Sequence, residues 1–395
     1  MVSPGELKLV TKEYAPLLVS IRHHLHAHPE LSFKEYETSA YIGRQLTEWN
    51  IPFKKIAGTG LTAIIEGIDP SHKIIALRAD MDALPITEEN NVEYRSINEG
   101  IMHACGHDVH TTCLLGAAKI LNDLKQQWKG TVKLIFQPGE EKNPGGASIM
   151  IKEGVLEDPK PQGIVALHVH PGLPTGKLSF RKGLIMASAD EIYITIKGKG
   201  GHAAAPHLTA DTILIASHII VSLQQLISRN NNPFTPSVLS ICSFQGGKTT
   251  NVIPAEVKLM GTFRTMDEGW RYKAHELIKK LVTEIAVAMG AEADVLVDVG
   301  YPAVYSEERI TDNAALLAKA YFGEENIEET EPRMGAEDFG FYAQQLPACF
   351  FRLGVRNEAK GIVHNVHTAR FDVDETALQY GAGIMAWLGM NLEMV

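Results

Sequence analysis

Residues 73–82 read KIIALRADMD and contain the first of the strand patterns on which the fold prediction rests. The first half of this stretch, residues 73–77, is apolar and bounded by polar residues, which is typical of a buried strand. Two similar strand patterns follow at 131–137 and 163–169, and helical patterns lie between them. Alternating strands and helices predict an α/β fold, with a mostly parallel sheet and helices on both of its faces.

A different pattern occupies the middle of the chain. The order strand, helix, strand, strand, helix, strand is that of a ferredoxin-like α+β sandwich. Beyond about residue 304 the alternating pattern returns, with a strand at 349–354 and a last helix after Asp374. We therefore expect a discontinuous α/β domain at 1–186 and 304–395, interrupted by an inserted domain at 187–303. The middle elements are strands at 191–197, 236–244, 255–264 and 293–299, and helices at 209–228 and 268–289.

Composition narrows the classes of partner. Apolar residues make up 45% and charged residues 21% of the 395, a soluble globular balance at a length that suits two domains. The formal net charge of −10 argues against nucleic acid, and weakly against an anionic membrane surface. No apolar run reaches the ~18 residues of a spanning helix, and residues 1–13 lack a secretion signal. We expect a cytoplasmic protein whose four scattered cysteines stay reduced.

Ligand-type side chains gather in five clusters. Most of the clusters follow the carboxyl end of a predicted parallel strand, the edge where open α/β sheets bind ligands. A thiol, imidazoles and carboxylates together suit a divalent transition metal such as Zn²⁺, Mn²⁺ or Co²⁺. Each cluster taken alone has a structural explanation, and only their combination indicates a site. A further polar stretch, HAHPEL at residues 26–31, is interpreted as a helix end. The five clusters lie at residues 78–82, 103–110, 138–141, 168–170 and 364–367.

The chain resembles a known family in a series of short sequence strings. The strings RADMDALPI, MHACGHDVHT, FQPGEE, GKGGHAAAP, NVIP, GTFRT, MGAEDF and HTARFDVDE occur in order between His23 and Glu375. They are similar to those of the dinuclear-metal aminoacylases and carboxypeptidases, in the branch of hippurate hydrolases, auxin-conjugate hydrolases and N-acetyl-diaminopimelate deacetylases. The resemblance implies a catalytic α/β domain with an inserted lid, two divalent metal ions per subunit, and a homodimer formed through the lid.

The resemblance also implies the ligands. Cys105 is expected to bridge the two metal ions, in the place of an aspartate of the peptidase branches. His367 is preferred to His364 because the string that begins at His367 fits the family's His-x-x-x-Phe spacing. The other expected ligands are His107, Glu141 and His168.

Catalytic roles follow from the same resemblance. Glu140 is expected to be the general base, and Asp82 the carboxylate that orients a ligand. Asp80 stands where other branches have a histidine, so the division of roles between Asp80 and Asp82 stays open. Apart from the resemblance, the tetrahedral oxyanion needs a donor besides the metal ions, and His202, in the Gly-rich turn 198–202, is the expected donor. Asn251 and Arg264 are expected to bind substrate.

The expected reaction is hydrolysis of the amide bond of N-acyl amino acids or related small conjugates by a metal-activated water. A dipeptidase or exopeptidase of the same family is the first alternative, and the Cys105 form of the motif favours the acyl branch. A non-catalytic binding module would have lost the base or a ligand. A redox role for Cys105 lacks a resolving cysteine nearby in the sequence.

Overall fold

The computed structural model describes residues 2–394. The chain divides into two compact units, the first comprising Met1–Ile185, Tyr305–Glu331 and Asp338–Val395 and the second comprising Met186–Val304 and Pro332–Glu337. The sequence places the inserted domain at 187–303 and assigns residues 332–337 to the outer domain. These six residues instead belong to the second unit, because the Ala187 N–H donates to the carbonyls of Arg333 and Gly335 at 3.2 and 3.0 Å.

Helices and strands alternate through most of the described chain. The helices are α1 (Pro4–Glu13), α2 (Ala15–Ala27), α3 (Tyr36–Glu48), α4 (His107–Asp123), α5 (Gly146–Lys152), α6 (Thr212–Gln225), α7 (Glu268–Ala288), α8 (Glu308–Phe322), α9 (Gly340–Ala343) and α10 (Thr376–Asn391). The strands are β1 (Phe53–Ile56), β2 (Gly60–Glu66), β3 (Ile74–Asp80), β4 (Thr131–Gln137), β5 (Gly163–Pro174), β6 (Leu178–Phe180), β7 (Gly183–Met186), β8 (Asp190–Lys197), β9 (Gly201–His202), β10 (Ser237–Gln245), β11 (Val252–Ile253), β12 (Glu256–Thr265), β13 (Glu292–Val299), β14 (Val304–Ser306), β15 (Ile327–Glu329) and β16 (Ala348–Arg356).

The first unit is built on an eight-stranded sheet in the order β1-β2-β4-β3-β5-β16-β6-β15. Its central strands β4, β3, β5 and β16 are parallel neighbours. The pairs β1–β2, β2–β4 and β16–β6 are antiparallel. The predicted α/β class with a mostly parallel sheet is therefore confirmed.

Side chains alternate between the two faces of this sheet. On one face, Ile75, Leu77 and Ala79 of β3 belong to a large core that includes buried residues of α4 and α10. On the other face, α5 packs against β4 and α9 packs against β16. The predicted helices on both faces are confirmed, and β3 is buried on both sides because of them.

Helix α4 begins two residues earlier than a cap at Asp108 would place it. The sequence predicts Asp108 as its capping residue, but the helix starts at His107 and Gly106 is the N-cap. Gly106 adopts a left-handed φ of +83°, and a Cβ at this position would stand 2.6 Å from Val169 Cγ2. Asp108 does not cap because its Oδ2 accepts hydrogen bonds from Arg22 and His26.

The second unit has a four-stranded sheet in the order β10-β12-β8-β13, with every neighbouring pair antiparallel. Helices α6 and α7 contribute to its core, which includes Ile194, Ile219 and Val282. The chain order and the sheet order confirm the predicted ferredoxin-like sandwich. Strands β9 and β11 form a separate two-stranded ribbon.

One helical stretch, Thr212–Asn230, is long and apolar enough to cross a membrane by length and composition alone. It comprises α6 and the π turn Leu226–Asn230 that extends it. No uninterrupted apolar run of that length is present in the sequence. About a third of this stretch is buried, and Ile215, Ile219 and Leu223 of α6 belong to the core of the second unit. A single helix of this kind is weak evidence for a membrane span.

Close packing at Gly116 of α4 gives a prediction about stability. A Cβ at Gly116 would meet Leu18 Cδ2 at 2.6 Å and Ala382 Cβ at 2.7 Å, whereas a Cβ at Gly5 of α1 would meet nothing within 4 Å. Gly116→Ala should destabilise the first unit by ~1–3 kcal/mol through overpacking. Gly5→Ala should be neutral or stabilising by up to ~1 kcal/mol. Urea unfolding followed by circular dichroism measures both, and equal effects of the two substitutions would contradict the packing argument.

Candidate metal centre

The carboxyl ends of β3, β4, β5 and β16 lie at one edge of the first unit's sheet. Asp80 ends β3 and is paired in register with Gln137, which ends β4. His168 of β5 is paired with Arg352 of β16. The polar residues at and after these positions therefore share the edge where ligands bind in such sheets.

The thiol of Cys105 is the centre of the site. Its Sγ lies 3.6 Å from His168 Nε2 and 3.3 Å from His367 Nε2. Two groups of ligand atoms share it, each group with its atoms within 4.8 Å of one another: Cys105 with His107 and His168, and Cys105 with Glu141 and His367. The structure thus brings all five predicted ligands together and makes Cys105 common to both groups.

Two imidazole nitrogens of this site, His168 Nε2 and His107 Nε2, point to metal binding. His168 Nδ1 is 2.8 Å from the Val169 carbonyl, to which it donates, so that Nε2 faces Cys105 unprotonated. His107 Nε2 is buried and has no hydrogen-bond partner among the described residues. Buried polar atoms without partners are rare in folded proteins. Ligands of a four-coordinate ion with bonds of ~2.0–2.3 Å stand ~3.3–3.8 Å apart, so the spacings about Cys105 fit two divalent ions.

A third group of possible ligands, Asp80 with His107 and His110, is a closed network instead. His110 Nδ1 donates to Asp80 Oδ1 at 2.5 Å, and His110 Nε2 accepts from the Val169 N–H at 2.9 Å. Arg78 donates to the other oxygen, Asp80 Oδ2, at 2.7 Å. Both nitrogens of His110 and both oxygens of Asp80 are occupied by protein partners, so these two residues support the site and leave ligation to His107.

The sequence leaves open whether Asp80 or Asp82 orients a ligand, and the carboxylate that contacts His107 Nδ1 is that of Asp82. Its Oδ1 accepts from His107 Nδ1 at 3.1 Å, and its Oδ2 accepts from the Glu141 N–H at 3.0 Å. This contact turns His107 Nε2 towards the site, as outer carboxylates commonly do for metal-ligating histidines. Asp80 and Asp82 are both buried. Both carboxylates therefore lie behind the possible ligands, and their assigned roles in the reaction stay predictions.

Charges around the ligands set their protonation. Burial, together with the charges of His110 and Arg352, holds the pKa of His168 well below its usual range, so its ring is neutral. Burial raises the pKa of the Cys105 thiol, and the charge of Glu141 raises it further. Hydrogen bonds to Cys105 and Glu141 raise the pKa of His367 to about 10. Metal binding needs the thiolate and the neutral imidazole, so cations and protons compete for this site.

His367 reaches the site through a strained backbone. Its φ is +62°, a left-handed conformation that is uncommon for a residue with a side chain. Its N–H donates to the Ala104 carbonyl at 2.7 Å, beside Cys105. His364 lies on the same loop, is exposed, and joins none of the ligand groups found among the described residues. The contact with Ala104 holds His367, and not His364, at the thiol.

Glu140 is not one of the five expected ligands and shares no group with Cys105, although its carboxylate forms a further group of possible ligands with His107 and Glu141. Its Oε2 is 4.0 Å from His107 Nε2, and its side chain is buried. Its neighbour Gly139 has a left-handed φ of +59°, which turns the chain sharply after β4. A buried carboxylate at this distance from the metal ligands suits a general base.

The remaining predicted residues lie in the second unit. His202 ends β9 and is exposed, and the Ala203 N–H donates to the Asn251 carbonyl at 3.0 Å, so His202 and Asn251 are neighbours. Arg264 of β12 donates to the Met334 carbonyl at 3.3 Å. The assigned roles of these three residues towards the reaction stay predictions.

Sequence reasoning missed a buried network behind the ligands. Arg78 donates to Asp338 Oδ1 and Gln137 Oε1, both at 2.9 Å, and Gln137 Nε2 donates to Asp338 Oδ2 at 2.7 Å. Arg78 and Asp338 are within the strings RADMDALPI and MGAEDF, so the motifs contained them. Their pairing could not be foreseen because they are 260 positions apart.

Comparison with known proteins gives concordant matches. The model of Peptidase family M20/M25/M40 matches residues 76–390. Thermostable carboxypeptidase 2 of Saccharolobus solfataricus is 39% identical over 98% of both chains. N-acetyl-L-cysteine deacetylase of Bacillus subtilis is 38% identical over 95% of this chain and 87% of its own. Among solved structures, the Bacillus subtilis YXEP protein, a dinuclear metal-binding peptidase of the M20 family, is 34% identical, covers 96% of this chain and 98% of its own, and superposes with a TM-score of 0.82.

The shared position of Cys105 predicts that its loss affects both groups of ligands. Cys105→Ser should lower the zinc content of the purified protein by at least about one ion per chain, because a serine hydroxyl is a far weaker ligand than a thiolate. Cys113→Ser is the matched control, since Cys113 is a buried free cysteine on α4 that belongs to no ligand group. Metal analysis after dialysis measures both variants, and wild-type zinc content in Cys105→Ser would refute the assignment.

Proposed function

The chain belongs to peptidase family M20/M25/M40 and is a metal-dependent hydrolase of that family, and on this premise we propose that it cleaves the amide bond of N-acyl amino acids. The observation that carries the proposal is the buried Glu140 carboxylate, 4.0 Å from His107 Nε2 at the edge of a ligand set that shares one thiol. The similarity to N-acetyl-L-cysteine deacetylase supports the acyl group as the part that is removed.

The residues of this chain divide the work of hydrolysis. Divalent ions held by the five ligands would polarise the amide carbonyl and activate water. Glu140 accepts a proton from the attacking water as its oxygen bonds to the carbonyl carbon. The same carboxyl then donates this proton to the leaving nitrogen as the carbon–nitrogen bond breaks. Asp82 keeps His107 oriented throughout, since it holds the Nδ1–H of that ring.

The native metal belongs to the same proposal. Thiolate and imidazole ligands suit zinc or cobalt, whereas the carboxylates are also suited to manganese. The unlinked cysteines are consistent with a reducing compartment, and we place the enzyme in the cytoplasm for this reason. Activity restored to metal-free protein by Zn²⁺, Co²⁺ or Mn²⁺ in turn, with metal analysis of protein as purified, identifies the ion.

A carboxypeptidase or dipeptidase is the second candidate, because thermostable carboxypeptidase 2 is as similar to this chain as the deacetylase is. The two candidates differ only in the group on the acyl side of the scissile bond. N-acetyl, N-benzoyl and indole-acetyl amino acids should be hydrolysed with higher kcat/KM than dipeptides of the same carboxyl-terminal residue. The reverse order would replace the acyl proposal by the peptidase.

The paired glutamates should give opposite phenotypes. Glu140→Gln should keep its metal content and KM while kcat falls by roughly 10²–10⁴-fold, the usual contribution of a positioned base. Glu141→Gln should instead lose metal, because Glu141 belongs to a ligand group with Cys105 and His367. Steady-state kinetics with the best N-acyl substrate and metal analysis of each variant distinguish the two. Loss of metal in Glu140→Gln with full metal in Glu141→Gln would reverse the assignment.

We propose a homodimer formed through the second unit. Strand β10 is at the edge of its sheet and carries Val238 and Phe244, both exposed. Helix α6, which contacts β10, exposes Leu214 and Val221. An apolar helix face beside an unpaired strand edge is a surface that a second copy could cover by continuing the sheet and packing helix on helix.

Matched substitutions on the two helices of this unit test the dimer. Val221 on α6 is 74% exposed and Val287 on α7 is 64% exposed. Val221→Glu should shift the protein to monomers, because it places a charge in the apolar face, whereas Val287→Glu should leave the dimer intact. Light scattering coupled to size-exclusion chromatography measures the mass. A monomeric wild type, or a dimer unaffected by Val221→Glu, would refute this interface.

A further inference from the structure

The turn at residues 29–35 follows α2 and contains most of the string HAHPELSFKE, in which the helix end predicted at 26–31 lies. The Lys34 N–H donates to the Leu31 carbonyl at 2.9 Å, which closes the turn. The Ala83 N–H donates to the Glu30 carbonyl at 2.8 Å, which attaches the turn to the chain just after Asp82. The turn contributes none of the ligand groups found among the described residues.

Ser32 of this turn contacts the carboxylate that orients the metal ligands. Its hydroxyl donates to Asp82 Oδ2 at 2.6 Å. The same oxygen accepts from the Glu141 N–H, and the other oxygen accepts from His107 Nδ1. Ser32 therefore fixes the orientation of the Asp82 carboxylate. That carboxylate in turn holds the ring of His107 and the backbone N–H of Glu141.

Glu35 reaches the segment that carries the general base. Its Oε1 accepts from the Gly139 N–H and the Phe33 N–H, both at 2.8 Å, and its Oε2 accepts from Thr59 Oγ1 at 2.6 Å. Glu35 is fully buried. Three donors offset part of the cost of burying this carboxylate, and one of them belongs to the residue before Glu140.

Phe33 reinforces the same attachment. Its φ of +63° is left-handed, a strained conformation for an aromatic residue. A Cβ at position 139 would stand 2.4 Å from its ring, so the ring closes directly on the Gly139 backbone. Gly139 is thus held from both sides, by the carboxylate of Glu35 and by the ring of Phe33.

A purely local role does not account for Glu35. It precedes α3, yet its side chain makes no capping hydrogen bond to that helix. Glu30 does so instead, accepting from the Thr38 N–H at 2.9 Å and the Glu37 N–H at 3.2 Å. The carboxylate of Glu35 is directed at Gly139, 104 positions away in the chain.

We propose that the 29–35 turn is the positioning element of the active site, with Ser32 setting the metal ligands through Asp82 and Glu35 setting the general base through Gly139. The inference rests on the proposed function for the role of Glu140. It makes Ser32 and Glu35 positioning residues with separable effects, since the first acts on the metal and the second on the proton transfer.

Two pairs of variants separate the effects. Ser32→Ala should weaken zinc binding by up to ~10-fold, the low end of the effect of removing a direct outer partner of a metal ligand, because Ser32 acts one contact further out, through Asp82. Ser32→Thr should restore zinc binding because the hydroxyl remains. Glu35→Met should leave zinc affinity within about threefold while kcat falls by ~10–100-fold at unchanged KM. Glu35→Gln should recover most of that kcat, because its amide oxygen still accepts from the Gly139 N–H. Its amide NH2 can donate to Thr59 Oγ1, since the hydroxyl of Thr59 can rotate and act as acceptor.

The controls distinguish positioning from stability. Lys34→Ala, on the exposed side of the same turn, should match the wild type. Thr59→Val removes a different hydrogen bond of Glu35, and should lower the melting temperature without lowering kcat. If Glu35→Met does not fold, Glu35→Asp withdraws the carboxylate from Gly139 by one methylene and should show the same loss of kcat.

Zinc affinity is measured by competition with a chromophoric chelator, and kcat and KM on the zinc-loaded enzyme. Wild-type zinc affinity in Ser32→Ala, wild-type kcat in Glu35→Met, or a loss of kcat in Thr59→Val equal to that in Glu35→Met would overturn the proposal. If the wild type hydrolyses only dipeptides, the proposed function fails by itself. The zinc measurements, and the same kinetics with a dipeptide, still test the turn.

Discussion

The buried guanidinium of Arg78 is the interaction on which the catalytic edge depends. It is inaccessible to solvent and donates to Asp80, Asp338 and Gln137. Removing one partner of a buried ion pair typically costs ~3–5 kcal/mol, because an uncompensated charge remains. Burial alone would raise the pKa of Asp80, but the charge of Arg78, with those of His107 and His110, holds it well below its usual range. The ends of β3 and β4 and the residues before α9 are thereby held together by one cation.

Much of this arrangement could be predicted from the sequence, because its signals are local. The strand at 131–137 has the bounds of β4, and the ferredoxin-like order of the second unit followed from periodicity alone. The five expected ligands were indicated by ligand-type residues at strand ends and by the family resemblance, and the structure brings them together around Cys105. The start of α4 could not be predicted correctly from the sequence, because aspartate is a common helix-capping residue and Asp108 therefore indicated a later start. Its partners Arg22 and His26 lie 86 and 82 positions away, and no local pattern reveals such contacts.

The same limit explains the turn at 29–35. The string HAHPEL does contain a helix end, because α2 stops at Ala27. The two contacts that give the following residues a role reach Asp82 and Gly139, 50 and 104 positions along the chain. Buried polar groups must find partners, so Glu35 required some donor. The packing of the sheet edge determines which donor Glu35 finds, and the sequence of the turn does not reveal it.

The exchange at Asp80 shows how tightly these residues are coupled. The resemblance places a histidine there in other branches, supplied by the strand. Here His107 brings its Nε2 to 3.8 Å from Asp80 Oδ2, so an imidazole enters the same region from the first turn of α4. The helix can begin at His107 because Gly106 accepts a left-handed backbone. A histidine placed at 80 alone would crowd His107 and deprive Arg78 of a carboxylate in a place where an unpaired charge is costly. The residue at 80, the left-handed backbone at Gly106 and the position of His107 therefore depend on one another at this edge of the sheet.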